Sequence, residues 1–250
     1  MKPEFGISFS GSVENLKNMS GFLKNTGFKS LDLGGECLVP GVWDIAPLPV
    51  ESVDDLISPM DVTSLMNQKD SLRNMFLDEF EKKVDFMSKG FAKFASVDFG
   101  VESCIGDMFY YGDLVGFMKK IALILLRRKM SLCLPVRAPL AVKEASCEFY
   151  RKLIMDMMLP NCLIALEIFP HDFKKKENLR ESLLNYRFDI GVLRIKYELK
   201  NGNTISEKLF GEISSALQLL PSNPKCFFDP MAYEFSTFRA EMMRISDMIR

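Results

Sequence analysis

The sequence has no excess of charge of one sign, which argues against a nucleic-acid partner. Its 250 residues carry 32 basic and 33 acidic side chains, a formal net charge of −1. A nucleic-acid-binding protein would need a basic stripe or patch, so we expect this chain to bind no nucleic acid. The basic runs at 127–129 and 174–176 are short, and we interpret them as solvated helix ends or loops.

Paired cysteine motifs and long apolar runs are also missing. The six cysteines are widely spread, form no C-x-x-C pair and lie partly in apolar stretches, as reduced thiols do. Reduced thiols favour a cytoplasmic location. The N-terminus MKPEFGISFS lacks the apolar region of a signal peptide. The longest strongly apolar run, IALILL at 121–126, is too short to span a bilayer, so we expect no membrane association.

What the chain does have is a regular alternation of short apolar strands and amphipathic helices. Helices are predicted near 68–92, 113–129, 143–158, 176–186 and 206–220, with a first helix capped by Ser12 and an amphipathic last helix. Seven strands are predicted, at 5–10, 29–35, 94–100, 130–137, 162–170, 190–199 and 225–230.

This alternation predicts an α/β fold with a parallel sheet. The strands are apolar almost throughout, which fits a sheet buried on both faces. A (β/α)8 or TIM barrel typically takes about 250 residues, close to the length of this chain. We therefore predict a single TIM-barrel domain over residues 1–250, with an open doubly wound sheet as the alternative.

Residues 36–67 interrupt the regular pattern. They hold four prolines and no clear helix, and an eighth strand could lie at GVWDIA (41–46). The remainder has two interpretations. It is either a long active-site loop or lid, or a degenerate βα unit kept for packing.

Three stretches resemble strands of a known family. FGISFS, GFKSLDLGG and GFAKFASVDFG are similar to the G-I-S, G-F-x-x-V-E-L-G and G-A-K-Y-V-V-V strands of the xylose isomerase-like TIM barrels, the sugar phosphate isomerase/epimerase superfamily. The resemblance implies a sugar isomerase or epimerase with divalent metals held by Glu, Asp and His. The chain departs from that pattern, since its single histidine, His171, lies in FPHDF and Arg137 stands near the place of a metal-binding glutamate. The metal site implied by the resemblance is therefore incomplete.

Side-chain alternation within the strands predicts one polar pocket. Strand side chains point alternately to the two faces, and barrel active sites lie at the C-terminal strand ends. The opposite parity is largely apolar, as a helix-facing side should be. The inward set comprises Gly6, Ser8, Ser10, Ser30, Asp32, Ser96, Asp98, Ser131, Cys133, Arg137, Ala165, Glu167, Arg194, Lys196, Glu198 and Asp229.

These charges allow several functions, and we favour a sugar isomerase or epimerase. For that function, Glu167, Lys196 and Asp229 are predicted to be catalytic. Asp32, Asp98 and Glu167 would bind Mg²⁺ or Mn²⁺, if a metal is used at all. The substrate, a small carbohydrate or sugar phosphate, would contact Arg137, Arg194, Trp43 and His171.

The sequence leaves three alternatives open. A non-catalytic or metal-free barrel could bind an acidic small molecule through Arg137, Arg194 and Lys196. A Schiff-base lyase could use Lys196, with its pKa lowered by Arg194. The charges could also form an inert ion-pair network. The sequence does not decide whether the chain forms a homo-oligomer.

Overall fold

The structure, a computed structural model, contains a closed parallel barrel of eight strands. It describes residues 3–57, 70–98, 111–138, 144–170, 189–199, 204–221, 223–231 and 234–250, together with Leu183 and Arg187. Each strand pairs with the next in chain order, and β8 closes the ring on β1 through the register Ile7↔Phe228. The predicted TIM-barrel fold is confirmed.

The strands and helices follow the predicted alternation closely. The strands are β1 (Phe5–Phe9), β2 (Leu31–Gly34), β3 (Val50–Ile57), β4 (Phe94–Val97), β5 (Ser131–Ala138), β6 (Cys162–Ile168), β7 (Ile190–Glu198) and β8 (Lys225–Met231). The helices are α1 (Val13–Leu23), α2 (Val42–Ile45), α3 (Asp70–Lys89), α4 (Tyr111–Arg127), α5 (Glu144–Met157), α6 (Glu207–Leu217) and α7 (Phe235–Ile249). The helix predicted at 176–186 falls largely outside the described residues.

The eighth strand lies at 50–57, so its predicted position at 41–46 was wrong. Gly41 has a φ of 86°, which a glycine adopts easily, and it starts the four-residue helix α2. Only a 3₁₀ turn at Gly35–Cys37 and α2 connect β2 to β3, so this unit is degenerate. The strand VESVDDLI escaped prediction because its acidic residues break the apolar run.

The helices pack on the apolar outer face of the barrel. Strand residues of the outward parity, such as Leu132, Leu193 and Ile195, are fully buried there. Helix α4 covers this face with Leu114 and Phe117, followed by further apolar residues at helical spacing. Burying each such side chain contributes about 1.5–3 kcal/mol. None of the helices within the described ranges is long and apolar enough to cross a membrane.

The barrel interior is apolar at mid-depth and charged at both ends. Phe227 fills the middle beside Cys133, Ala165 and Val192. Gly6 makes room for it, because a Cβ there would lie 2.5 Å from the Phe227 ring. At the N-terminal end, Lys225 pairs with Glu51 at 2.9 Å and with Glu4 at 3.3 Å. The C-terminal mouth carries a second and larger polar cluster.

Candidate functional site

Arg194 builds an enclosed polar layer beside Phe227, its register partner on β8. Its side chain is completely buried and crosses the barrel from β7 to β2, where Nε and Nη2 donate to both oxygens of Asp32 at 2.7 and 3.0 Å. Nη1 donates to Ser96 at 2.8 Å and Nη2 donates to Ser52 at 3.2 Å. Nη1 also lies 3.0 Å from Oδ1 of Asp54, as an ion pair. One guanidinium therefore connects four strands.

Lys196 forms a second layer one step nearer the mouth. It is two residues beyond Arg194 on β7 and therefore points to the same side. Its Nζ lies 2.6 Å from Oε1 of Glu167, 3.2 Å from Oδ2 of Asp54 and 4.0 Å from Oδ2 of Asp229. All four side chains are 13–16% exposed, so this layer faces the mouth while Arg194 does not. Carboxylates from β3, β6 and β8 thus surround one ammonium.

The two cations affect the pKa values of the neighbouring carboxyls to different degrees. Burial would raise the pKa of Asp54, but Arg194 and Lys196 together lower it. Burial raises the pKa of Glu167, and the nearby Asp54 adds to the effect despite Lys196. Burial also tends to lower the pKa of Lys196, but the three carboxylates raise it above its ordinary value. The cations therefore neutralise Asp54 more fully than Glu167, and Lys196 is held as an ammonium.

Asp229 combines a shifted pKa with access to a cavity. Burial raises its pKa to about 7, opposed by Lys196 and assisted by Asp54 and Asp32. It lines a cavity of about 460 Å³ at the mouth, which lies within the usual range for ligand pockets. Other lining residues are Ser8, Ser10, Asn15, Phe9, Phe235 and Phe238, with Glu198 and Glu234 adding negative charge. A carboxyl that titrates near neutrality beside a cavity suits general acid–base chemistry.

The residues present do not fit the divalent metal that the resemblance implies. Arg194 already takes both oxygens of Asp32, and Nζ of Lys196 occupies the space between Asp54, Glu167 and Asp229. A divalent ion 4 Å from that ammonium would be repelled by about 8 kcal/mol at an effective dielectric constant of about 20. Within the ranges that the structure describes, no group of three or more His, Cys, Asp or Glu side chains is arranged to hold a metal.

Comparison with solved structures finds proteins that share this barrel fold. D-allulose 3-epimerase from Methylomonas sp. superposes with a TM-score of 0.68 at 10% identity, covering 100% of this chain and 98% of that one. A 3-keto-D-glucoside 4-epimerase from E. coli gives 0.65 at 13% identity, covering 98% and 99%. A xylose isomerase domain protein from Planctomyces limnophilus gives 0.65 at 13% identity, covering 99% and 98%. The chain shares the TIM-barrel fold of these proteins.

Sequence comparison adds nothing to this result. No protein-family model matches the chain, and no curated protein is similar to it in sequence. At 10–13% identity, the structural likeness establishes the xylose isomerase-like fold alone. The predicted resemblance is therefore confirmed for the fold, and the chemistry of the site must be argued from its own residues.

The structure brings some predicted site residues together and separates others. Asp32, Glu167, Arg194, Lys196 and Asp229 form the two charged layers described above. The remaining four residues lie elsewhere or outside the described ranges. Arg137 is exposed and stacks 4.0 Å over the Phe169 ring, and Asp98 is half-buried just beyond β4. Trp43 packs 5.3 Å from Phe86 on α3. His171 lies outside the described residues.

Two functional candidates were missed by sequence analysis. Asp54 pairs with both Arg194 and Lys196, and Ser52 accepts a hydrogen bond from Arg194. Both lie on β3, the strand predicted at the wrong place. Their signal was present in VESVDDLI, where Ser52 and Asp54 share the parity opposite to the buried Val53.

The geometry also bears on the Schiff-base alternative. That mechanism assumed that Arg194 lowers the pKa of Lys196, which would make its amine a nucleophile. Instead, Arg194 is neutralised by Asp32 and Asp54, and three carboxylates keep Lys196 protonated. The assumed direction of the pKa shift was wrong.

Proposed function

We propose that the protein binds a small, uncharged carbohydrate at the C-terminal mouth of the barrel and isomerises or epimerises it. The observation that carries this proposal is Asp229. Its carboxyl has a pKa of about 7, lines the mouth cavity and lies 4.0 Å from the Lys196 ammonium. A proton acceptor therefore lines the cavity, and a fixed positive charge lies behind it, outside the lining found among the described residues.

Each of the three predicted catalytic residues has a role in this chemistry. Asp229, with its pKa near neutrality, would take a proton from the carbon next to a sugar carbonyl and return it to the same or the neighbouring carbon. The ammonium of Lys196, 4.0 Å from Asp229 and outside the cavity lining, would stabilise through its charge the negative charge that develops on the carbonyl oxygen. Glu167, 2.6 Å from Lys196, would orient that ammonium.

The charge around the cavity favours an uncharged ligand over a phosphorylated or acidic one. Three carboxylates line it, from Asp229, Glu198 and Glu234, and the lining found among the described residues includes no lysine or arginine. Arg194 has no exposed surface with which to contact a ligand. A phosphate or carboxylate would meet net negative charge there, whereas hydroxyl groups can donate to these oxygens.

The cavity lining also suits a sugar ring. Phe9, Phe235 and Phe238 supply apolar faces, while Ser8, Ser10 and Asn15 supply polar groups that fix orientation. Structural neighbours with this fold, D-allulose 3-epimerase and 3-keto-D-glucoside 4-epimerase, act on sugars by name. These neighbours support the general class of reaction and leave the substrate open.

Solvent deuterium exchange tests the proposal whichever sugar is formed. The protein is incubated in D₂O with unphosphorylated aldoses and ketoses and with matched sugar phosphates, and proton NMR follows the C–H group next to the carbonyl. We expect exchange and a new isomer with an unphosphorylated sugar. Asp229→Asn should reduce the rate at least about 100-fold, because general acid–base catalysis contributes about 10²–10⁴-fold.

The matched control is Asp247→Asn, which alters an exposed carboxylate on α7, 76% accessible, and should leave the rate unchanged. Sugar binding without exchange in the wild-type protein would refute catalysis. Absence of both binding and exchange across the panel would refute the whole proposal. Exchange restricted to phosphorylated sugars would refute the preference for an uncharged ligand.

A further inference from the structure

The position of Lys196 within the mouth layer resembles that of a bound cation. Its Nζ is approached by carboxylate oxygens from three strands, Asp54 on β3, Glu167 on β6 and Asp229 on β8. The ammonium donates a hydrogen bond to Asp54 at 3.2 Å and lies 2.6 Å from Glu167, while Asp229 stands 4.0 Å away as an ion pair beyond hydrogen-bond distance. The three carboxylates thus converge on a charge that the chain itself supplies.

We infer that the Lys196 ammonium is the resident cation of this site, that it excludes a divalent metal, and that its removal converts the three surrounding carboxylates into a divalent-cation site. This inference concerns the same mouth as the proposed function but rests on the ion pairs alone. It is tested without any sugar, so either idea can fail while the other stands.

The arrangement below Lys196 supports the second half of the inference. Arg194 fixes Oδ1 of Asp54 at 3.0 Å and holds Asp32 with two hydrogen bonds, so Asp54 stays in place when the lysine is lost. Glu167 and Asp229 lie on β6 and β8, the strands on either side of β7. Hard divalent cations such as Mg²⁺ and Ca²⁺ prefer oxygen ligands at about 2.0–2.6 Å. Around the lysine these three carboxylates are not arranged to hold a metal, and without it their side chains would rotate toward the position that Nζ vacates.

The experiment compares Mn²⁺ binding to wild-type protein and to Lys196→Met, after both have been treated with a chelator and dialysed. Methionine keeps an unbranched chain of similar length and removes the charge. Isothermal titration calorimetry and the EPR signal of free Mn²⁺ give the affinity and the stoichiometry. We expect Lys196→Met to bind one Mn²⁺ at least 100-fold more tightly than wild-type protein.

Two further variants make the comparison specific. Lys225→Met removes another lysine that sits between two carboxylates, Glu4 and Glu51, but at the opposite end of the barrel. It should bind Mn²⁺ no better than wild-type protein does. Adding Glu167→Gln to Lys196→Met removes one of the three expected ligands and should reverse most of the gain in affinity.

Several outcomes would overturn the inference. Tight one-to-one Mn²⁺ binding by wild-type protein would show that Lys196 does not exclude a metal, and this measurement needs no variant. A folded Lys196→Met protein that binds Mn²⁺ no more tightly than wild-type protein would show that the carboxylates form no latent site. If Lys196→Met does not fold, as judged by circular dichroism, Lys196→Gln gives the same comparison with a polar side chain.

Discussion

Replacing Arg194 by methionine should destabilise the barrel strongly, and the structure allows the size to be worked out. The guanidinium is completely buried, donates four hydrogen bonds and pairs with two carboxylates. Methionine would fill much of the volume but leave Asp32, which is also fully buried, without a counter-ion. Removing one partner of a buried pair costs about 3–5 kcal/mol. For 250 residues, each 1 kcal/mol shifts Tm by about 2–4 °C, so we expect a fall of roughly 6–20 °C.

Urea denaturation gives the free energy of unfolding, and Arg128→Met provides the matched control. Arg128 also pairs with a carboxylate, that of Asp85 at 2.6 Å, but is 35% exposed on the outside of the barrel. Surface pairs of this kind contribute about 0–1 kcal/mol, so the control should lose no more than that. The comparison isolates the effect of burial, because both variants lose an arginine and an ion pair.

The loss of stability should also depend on pH in a defined direction. Arg194 helps to lower the pKa of Asp54, so this ion pair stabilises the folded state above the unfolded-state pKa of 3.8 and is lost as the pH falls through the lower folded-state value. The stability difference between wild-type protein and Arg194→Met should therefore shrink below about pH 4. Adding Asp32→Asn to Arg194→Met should recover part of the loss, since no uncompensated charge then remains at residue 32. A loss below 1 kcal/mol, or one unchanged by Asp32→Asn, would refute this reasoning.

Three further predictions follow from single contacts. Burial raises the pKa of Asp229 to about 7, so ionisation of this carboxyl costs the folded state no stability below pH 3.8 and its full cost is reached once the pH has risen through 7. Asp229→Asn should therefore raise the unfolding free energy by up to about 4 kcal/mol at pH 8 and have little effect at pH 3.5, as measured by urea titration. Gly6→Ala should cost about 1–3 kcal/mol in the same assay because its Cβ would overlap the Phe227 ring, whereas Gly116→Ala, in open space on α4, should stabilise by about 0.5–1 kcal/mol. Glu241→Gln should lower Tm through a loss of about 1–3 kcal/mol, since the buried carboxylate accepts bonds that an amide cannot all replace.

Much of the fold and part of the site could be predicted because strand side chains alternate with a strict period of two. That period alone places Asp32, Glu167, Arg194, Lys196 and Asp229 on one interior face. The ion pairs among these residues confirm the placement. Parity is robust here because a slip by one residue would turn the apolar set inward and the charges outward.

The pairing within that interior could not be predicted, because it depends on the stagger of strands across the barrel. The register of β3 shifts relative to both of its neighbours, between Leu31 and Asp32 on one side and between Val53 and Ile57 on the other. These irregularities set the height at which Asp54 meets Arg194 and Lys196. No local sequence pattern reports such a shift, and an acidic strand such as VESVDDLI also lacks the apolar signal that marks its neighbours.

The two cations of β7 perform different tasks because two residues of strand rise separate them in depth. Arg194 is enclosed and donates to Asp32 and two serines while pairing with Asp54, so it fixes the walls of the barrel. Lys196 lies nearer solvent and shares one charge among three carboxylates. The cluster holds four carboxylates and only two cations, so two negative charges have no counter-ion within it. Burial raises the pKa of Glu167, and it raises the pKa of Asp229 to about 7. Burial is the main cause of the raised pKa of Asp229, and the neighbouring carboxylates Asp54 and Asp32 add to it. Under the proposed function, this uncompensated carboxyl would accept a proton near neutral pH, whereas a purely structural ion-pair network would avoid such an imbalance.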